Sequence, residues 1–189
     1  RRRDAADRHG GAGHEAGPGD RHRGAAGFDV PTDRLYHRGH AWLKPLPDGT
    51  VAIGLDDLAS RLVGKPDAIV LPEVGASVSE PGPALRLRAG KARVRVASPL
   101  TGRVVEQGGP EKGFLLRVVP EGELDTRALL TPREAAAWFS RELDRLQLAL
   151  SGTSGVPALA DGGLPVEDLG KAIPEADRDR VLGEMLLES

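Results

Sequence analysis

Ala84-Leu85-Arg86-Leu87-Arg88-Ala89-Gly90-Lys91-Ala92-Arg93-Val94-Arg95-Val96 alternates apolar and basic residues on both sides of a glycine. A period of two is that of a strand with one buried face. Leu85, Leu87, Val94 and Val96 then face a core, and Arg86, Arg88, Arg93 and Arg95 face water. Ala89-Gly90-Lys91-Ala92 is the tight connection, with glycine supplying a permissive backbone. Lys91 is therefore expected at or beside a hairpin tip.

More short strands flank this pair. Ala41-Trp42-Leu43-Lys44 and Thr50-Val51-Ala52-Ile53-Gly54 bracket a turn ending in Asp48-Gly49, a hairpin signal. Ala68-Ile69-Val70-Leu71 reads as a buried strand ended by Pro72. Arg103–Glu106 and Phe114–Val119 read as two further strands. Asp56–Gly64 reads as a short helix, with carboxylates at its start, Leu58, Leu62 and Val63 on one face, and Gly64 as a stop. The Asp56-Asp57 pair is thus assigned to the helix dipole rather than to acid–base chemistry.

At Thr131 the period changes. Thr131, Pro132 and Glu134 form a capping-box signature. Ala135, Trp138, Phe139, Leu143, Leu146 and Leu150 then recur at helical spacing. Residues 1–27 are expected to be a disordered leader, since 1–26 contain no Val, Leu, Ile or aromatic residue. The leader histidines His9, His14 and His22 lack a compact ligand pattern. The expected division is leader 1–27, β domain 28–130, helix 131–150, and a linker with an acidic tail over 151–189. One short helix is expected near Ala176–Leu187.

Composition excludes several classes. The 189 residues carry 26 Lys+Arg against 28 Asp+Glu, a formal charge of −2, which argues against a general nucleic-acid binder. With no Cys there is no disulfide scaffold, cysteine zinc site or thiol nucleophile. No 18-residue apolar run exists to span a membrane. The opening arginines precede no apolar stretch and do not read as a secretory signal. Phosphate-loop, nucleophile-elbow and zinc-helix motifs are missing. His37 and His40 are three apart, so a strand would not put them on one face for a metal.

The segment from Tyr36 to Leu130 resembles the glycine cleavage system H-protein family. Tyr36-His37-Arg38-Gly39-His40-Ala41-Trp42 is similar to the family's Tyr-x-x-x-His-x-Trp opening. Val51–Ala59 is similar to its strand-then-helix segment, and Leu71-Pro72-Glu73-Val74-Gly75 matches a five-residue block. Lys91 falls eight residues before Pro99, the family's separation between the lipoyl lysine and the following proline. Gly113-Phe114-Leu115 resembles its closing strand, and Leu124-Asp125 with Leu129-Leu130 its terminal helix. The chain departs from the family at Arg88, where an acidic residue is usual, at Ala41, and in the short segment 107–112. Residues 131–189 have no counterpart there.

The resemblance implies a mainly β fold, a lipoyl/biotinyl-type β barrel-sandwich of two short sheets. Small peripheral helices and an added C-terminal α-helix complete it. It implies a non-catalytic, cytoplasmic carrier in glycine catabolism with lipoate covalently held on Lys91. The implied partners are glycine decarboxylase, aminomethyltransferase, dihydrolipoyl dehydrogenase and a lipoate ligase or transferase, with neither nucleic acid nor membrane. A lipoyl carrier for another redox system, or an unlipoylated adaptor, are the alternative expectations. Biotin is disfavoured because Gly90 and Ala92 stand where Met usually flanks a biotinyl lysine. Arg86, Arg88, Arg93 and Arg95 form a face of like charges, disfavoured across a hairpin. An acidic surface is expected to relieve them, either a partner's or the chain's own 151–189 tail.

Overall fold

Asp48-Gly49 turns the first long hairpin, as the two residues require. Gly49 has φ 81°, and Asp48 Oδ1 accepts the Thr50 amide at 3.0 Å. The computed structural model describes residues 21–23, 27–150, 160–161, 164–165 and 169–186. In chain order the strands are β1 (Arg21–Arg23), β2 (Asp29–Pro31), β3 (Leu35–His37), β4 (Ala41–Pro45), β5 (Val51–Leu55), β6 (Ala68–Val70) and β7 (Ser77–Val78). They continue as β8 (Pro83–Ala89), β9 (Ala92–Ala97), β10 (Gly102–Gly109), β11 (Phe114–Pro120), β12 (Ala160–Asp161) and β13 (Leu164–Pro165). The helices are α1 (Asp57–Val63), α2 (Pro132–Leu150), α3 (Leu169–Ala172) and α4 (Glu175–Leu186).

Two antiparallel sheets make the barrel-sandwich. One has the order β3-β4-β5-β11-β10-β7 and the other β6-β8-β9. Their inward residues meet in one core that includes Leu43, Ile53, Leu85, Val94, Val104 and Leu116. The small connection 107–112 becomes a single 3-10 turn over Pro110–Lys112, so β10 and β11 close as a hairpin.

The helix signals operate as read. Asp56 caps α1 by accepting the Ala59 amide at 2.8 Å, and Gly64 ends it at φ 63°. At α2 the box is reciprocal. Thr131 N donates to Glu134 Oε2 at 2.8 Å, and Glu134 N donates to Thr131 Oγ1 at 3.4 Å. Phe139 of α2 meets Phe28 and Tyr36 edge-on, with ring centroids 5.5 and 6.0 Å away. That contact fastens α2 to the β3 end of the larger sheet.

Three features differ from the expected division. Arg21–Arg23, placed in the leader, forms β1 against β2. Within the expected linker, β12 pairs with β13. The acidic tail contributes the expected helix, as α4, but also α3, and Leu169, Ile173, Val181, Leu182, Met185 and Leu186 are buried in the common core. Their spacing carries a weak apolar stripe, and tertiary burial rather than local periodicity organises them. His9, His14 and the other leader residues at 1–20 and 24–26 lie outside the described residues. No helix among the described residues is long and apolar enough to cross a membrane.

Candidate functional site

The β8–β9 hairpin pairs Ala89 with Ala92, which leaves Gly90 and Lys91 as its two-residue turn. Gly90 has φ 64°, whereas Lys91 keeps an ordinary negative φ. Glycine with positive φ at the first turn position matches the twist of the flanking strands. The Lys91 side chain is 86% exposed.

The turn is clamped from outside the hairpin. Asp67, just before β6, donates its amide to Arg88 O at 2.8 Å. Its Oδ2 accepts the Gly90 amide at 2.6 Å. Arg178 of α4 reaches within 3.9 Å of the point a Gly90 Cβ would occupy, and donates to Gly170 O at 3.0 Å. Glu175, the first residue of α4, places Oε1 4.0 Å from Lys91 Nζ. Sequence reasoning missed Asp67, Glu175 and Arg178, because their roles depend on distant segments meeting.

The Arg face forms as expected. Arg86 stands opposite Arg95 and Arg88 opposite Arg93, and all four are exposed. The tail does pack beside β9, yet its Glu175 faces Lys91 rather than any of these arginines. So among the described residues the tail does not relieve their charge.

His37 and His40 take separate structural tasks. His37 Nδ1 accepts the Gly39 amide at 3.0 Å, and its Nε2 lies 3.8 Å from Glu80. Burial, opposed by Glu80, lowers its proton affinity. His40 is buried in a left-handed conformation, φ 60°, with Nδ1 2.8 Å from Asp56 Oδ2 and its ring stacked on Trp138. Asp56 therefore caps α1 and holds His40 at once. Trp42 lies across Gly54, where a Cβ would come within 2.4 Å of the indole. These contacts explain structurally why His40 and Trp42 stand in the opening motif and why a glycine, Gly54, stands opposite Trp42 on β5.

Beside the root of the hairpin is an apolar cleft of about 260 Å³ lined by Trp42, Ile69, Leu87, Pro110 and Phe114. Gly109, Pro110 and Gly113 of the turn between β10 and β11 form part of its wall. A larger cleft of about 780 Å³ lies at the hairpin base, lined by His37, Arg38, Glu80, Arg95 and Arg127 among others.

Two facing sheets with a lysine presented on a two-residue turn define a lipoyl-type β barrel-sandwich. The model of the family described as Glycine cleavage H-protein matches residues 34–109. A glycine cleavage system H protein of Psychrobacter sp. is 31% identical over 122 residues, covering 58% of this chain and 97% of that protein. The Neisseria gonorrhoeae H protein is 30% identical over 121 residues, 57% of this chain and 91% of its own. The crystal structure of the Mycobacterium marinum H protein superposes with TM-score 0.50 at 28% identity, covering 59% of this chain and 99% of that one. This chain belongs to the glycine cleavage H-protein family. Helices α2 to α4 lie beyond the family-model match.

Proposed function

We propose that Lys91 is the lipoyl attachment residue and that the chain is a lipoyl carrier of a glycine cleavage system. The observation that carries this reading is an exposed lysine on a clamped turn, in a chain of this family. Attachment forms an amide on a primary amine, so Lys is required and Arg cannot replace it. The site fits the group: the Lys91 side chain extends into solvent, and its ion-pair partner is the exposed Glu175 carboxylate at 4.0 Å.

When attached, lipoate supplies a dithiol–disulfide couple that serves glycine decarboxylase, aminomethyltransferase and dihydrolipoyl dehydrogenase in turn. The protein's own contribution is mechanical. Asp67 holds the root of the arm by its bonds to Arg88 and Gly90, while the Lys91 methylenes remain free to swing. Tethering raises the effective concentration of the carried group at each enzyme without a catalytic side chain. The apolar cleft lined by Trp42, Leu87 and Phe114 offers a nearby surface against which an arm rests between visits.

The test is the intact mass of the full chain after incubation with lipoate, ATP and a lipoate ligase, with Lys91→Arg alongside. One lipoyl increment that vanishes in the variant is the expected result. An unmodified mass, with a competent H-protein labelled in parallel, would instead favour the adaptor reading.

A further inference from the structure

The four arginines stand in two directly opposed pairs, Arg86 with Arg95 and Arg88 with Arg93. Like charges in that register oppose sheet formation. Their neighbours on β6 are Val70 beside Arg86 and Ala68 beside Arg88, so that strand supplies no carboxylate to this face. Two carboxylates at the tip are otherwise engaged: Asp67 accepts the Gly90 amide, and Glu175 faces Lys91. Among the described residues none of the four arginines forms an ion pair or side-chain hydrogen bond. A chain of net charge −2 thus concentrates unrelieved positive charge on one face.

That face has a direction. At its tip, Arg88 and Arg93 stand one residue pair behind the Gly90–Lys91 turn, where Arg178 adds a guanidinium. At its base, Arg95 opens onto the large cleft shared with Arg38 and Arg127, although Glu80 and Glu134 also line that cleft. Helix α4 packs against β9, the edge strand of the small sheet. It therefore occupies that flank of the turn and leaves the arginine face exposed.

We infer that the Arg86–Arg88–Arg93–Arg95 face is a docking surface for an acidic protein patch, carried by an enzyme that acts on the group at Lys91. The identity of the enzyme rests on the carrier reading above; the charge argument does not. Like-charge pairs kept against sheet stability are a mark of a surface selected for something other than folding. A carboxylate patch would satisfy all four guanidinium groups together. It would also orient Lys91 toward the partner's entrance.

The experiment is binding of the full, unlipoylated chain to purified glycine decarboxylase, aminomethyltransferase and dihydrolipoyl dehydrogenase from the same source. It is done at about 50 and about 300 mM salt, where screening differs strongly. The informative variant is Arg86→Glu with Arg88→Glu, because each new carboxylate faces an arginine across the hairpin. The inference expects two effects of opposite sign. The variant melts at a higher temperature than the parent, yet its affinity for at least one enzyme falls by about tenfold or more and loses its salt dependence. Arg86→Lys with Arg88→Lys retains most of the affinity. Affinities unchanged by the charge reversal, or no binding by any of the three enzymes, overturn the inference. So does tighter binding to a nucleic-acid duplex than to every enzyme. Because the chain is unlipoylated throughout, a failed lipoylation assay leaves this readout standing. A lipoylated chain indifferent to the charge reversal refutes docking alone.

Discussion

Glu175 Oε1 lies 4.0 Å from Lys91 Nζ, so the first residue of α4 meets the one side chain of the two-residue turn that extends into solvent. The pair is exposed on both sides, at 86% and 72%, and such pairs contribute little to folding. Glu175→Gln should therefore move the melting temperature by no more than about 2 °C. Any larger shift in a thermal scan would mean that the contact organises α4 rather than merely adjoining it.

Leu182 gives the opposite expectation. It is fully buried on α4, within the core shared with the β domain. Leu182→Ala should cost about 2–5 kcal/mol in denaturant unfolding. Hydrogen exchange should show α4 amides losing protection first. Unchanged protection would place α4 outside the cooperative unit.

Gly90→Ala isolates backbone strain. Its φ of 64° disfavours a Cβ, while the nearest atom to that Cβ, Arg178 Nη1, is 3.9 Å away. The expected cost is about 1–2 kcal/mol without a packing clash. Gly90→Asn should recover part of it. Equal losses for both variants in equilibrium unfolding would point to a steric cause instead.

Gly54→Ala isolates packing. The new methyl would meet Trp42 Cζ2 at 2.4 Å, so the indole must shift from beneath Arg34, which now sits 4.3 Å from the ring centroid. The expected loss is about 1–3 kcal/mol, with a change in tryptophan fluorescence. A native spectrum and native stability would show that the strand yields instead.

Asp56 has two tasks, so its loss should exceed that of an ordinary cap. Asp56→Ala removes the acceptor for the Ala59 amide and the partner of buried His40. Together these should cost about 2–4 kcal/mol. A value within the range of a simple cap, near 1 kcal/mol, would show that His40 finds another partner.

His37 sets a pH dependence. Burial is the largest influence on it and lowers its proton affinity from the ordinary 6.5, while the Glu80 carboxylate opposes and His40 reinforces the shift. The folded state then binds the His37 proton less readily than the unfolded state. Its contribution is complete above about pH 6.5 and is lost as pH falls from there through the depressed folded value. The melting temperature of His37→Gln should accordingly fall less between pH 7 and pH 5 than that of the parent. Parallel curves would remove His37 as the cause.

The β8–β9 hairpin was legible because the period-two alternation of Leu85 to Val96 and the Gly90 break are both local signals. So were α1 and α2, whose caps at Asp56 and Thr131 are written within three residues of the groups they satisfy. The resemblance added the family and the candidate role of Lys91. What lay beyond reach was every relationship that depends on long-range closure. Asp67 reaches Gly90 only because β6 pairs with β8, and His40 reaches Asp56 only because β4 runs beside β5.

By itself, then, the sequence determined the strand alternation, the turn that carries Lys91 and the arginine face, since each follows from neighbouring residues and the two-residue period of a pleated strand. Only the tertiary structure decided that the acidic tail folds back as α3 and α4, that Glu175 meets Lys91, and that the four arginines find no ion-pair partner among the described residues. The physical reason is that α4's stability comes from burying Val181, Leu182, Met185 and Leu186 in a core built by distant segments. Nothing in a twelve-residue stretch states which surface will bury it.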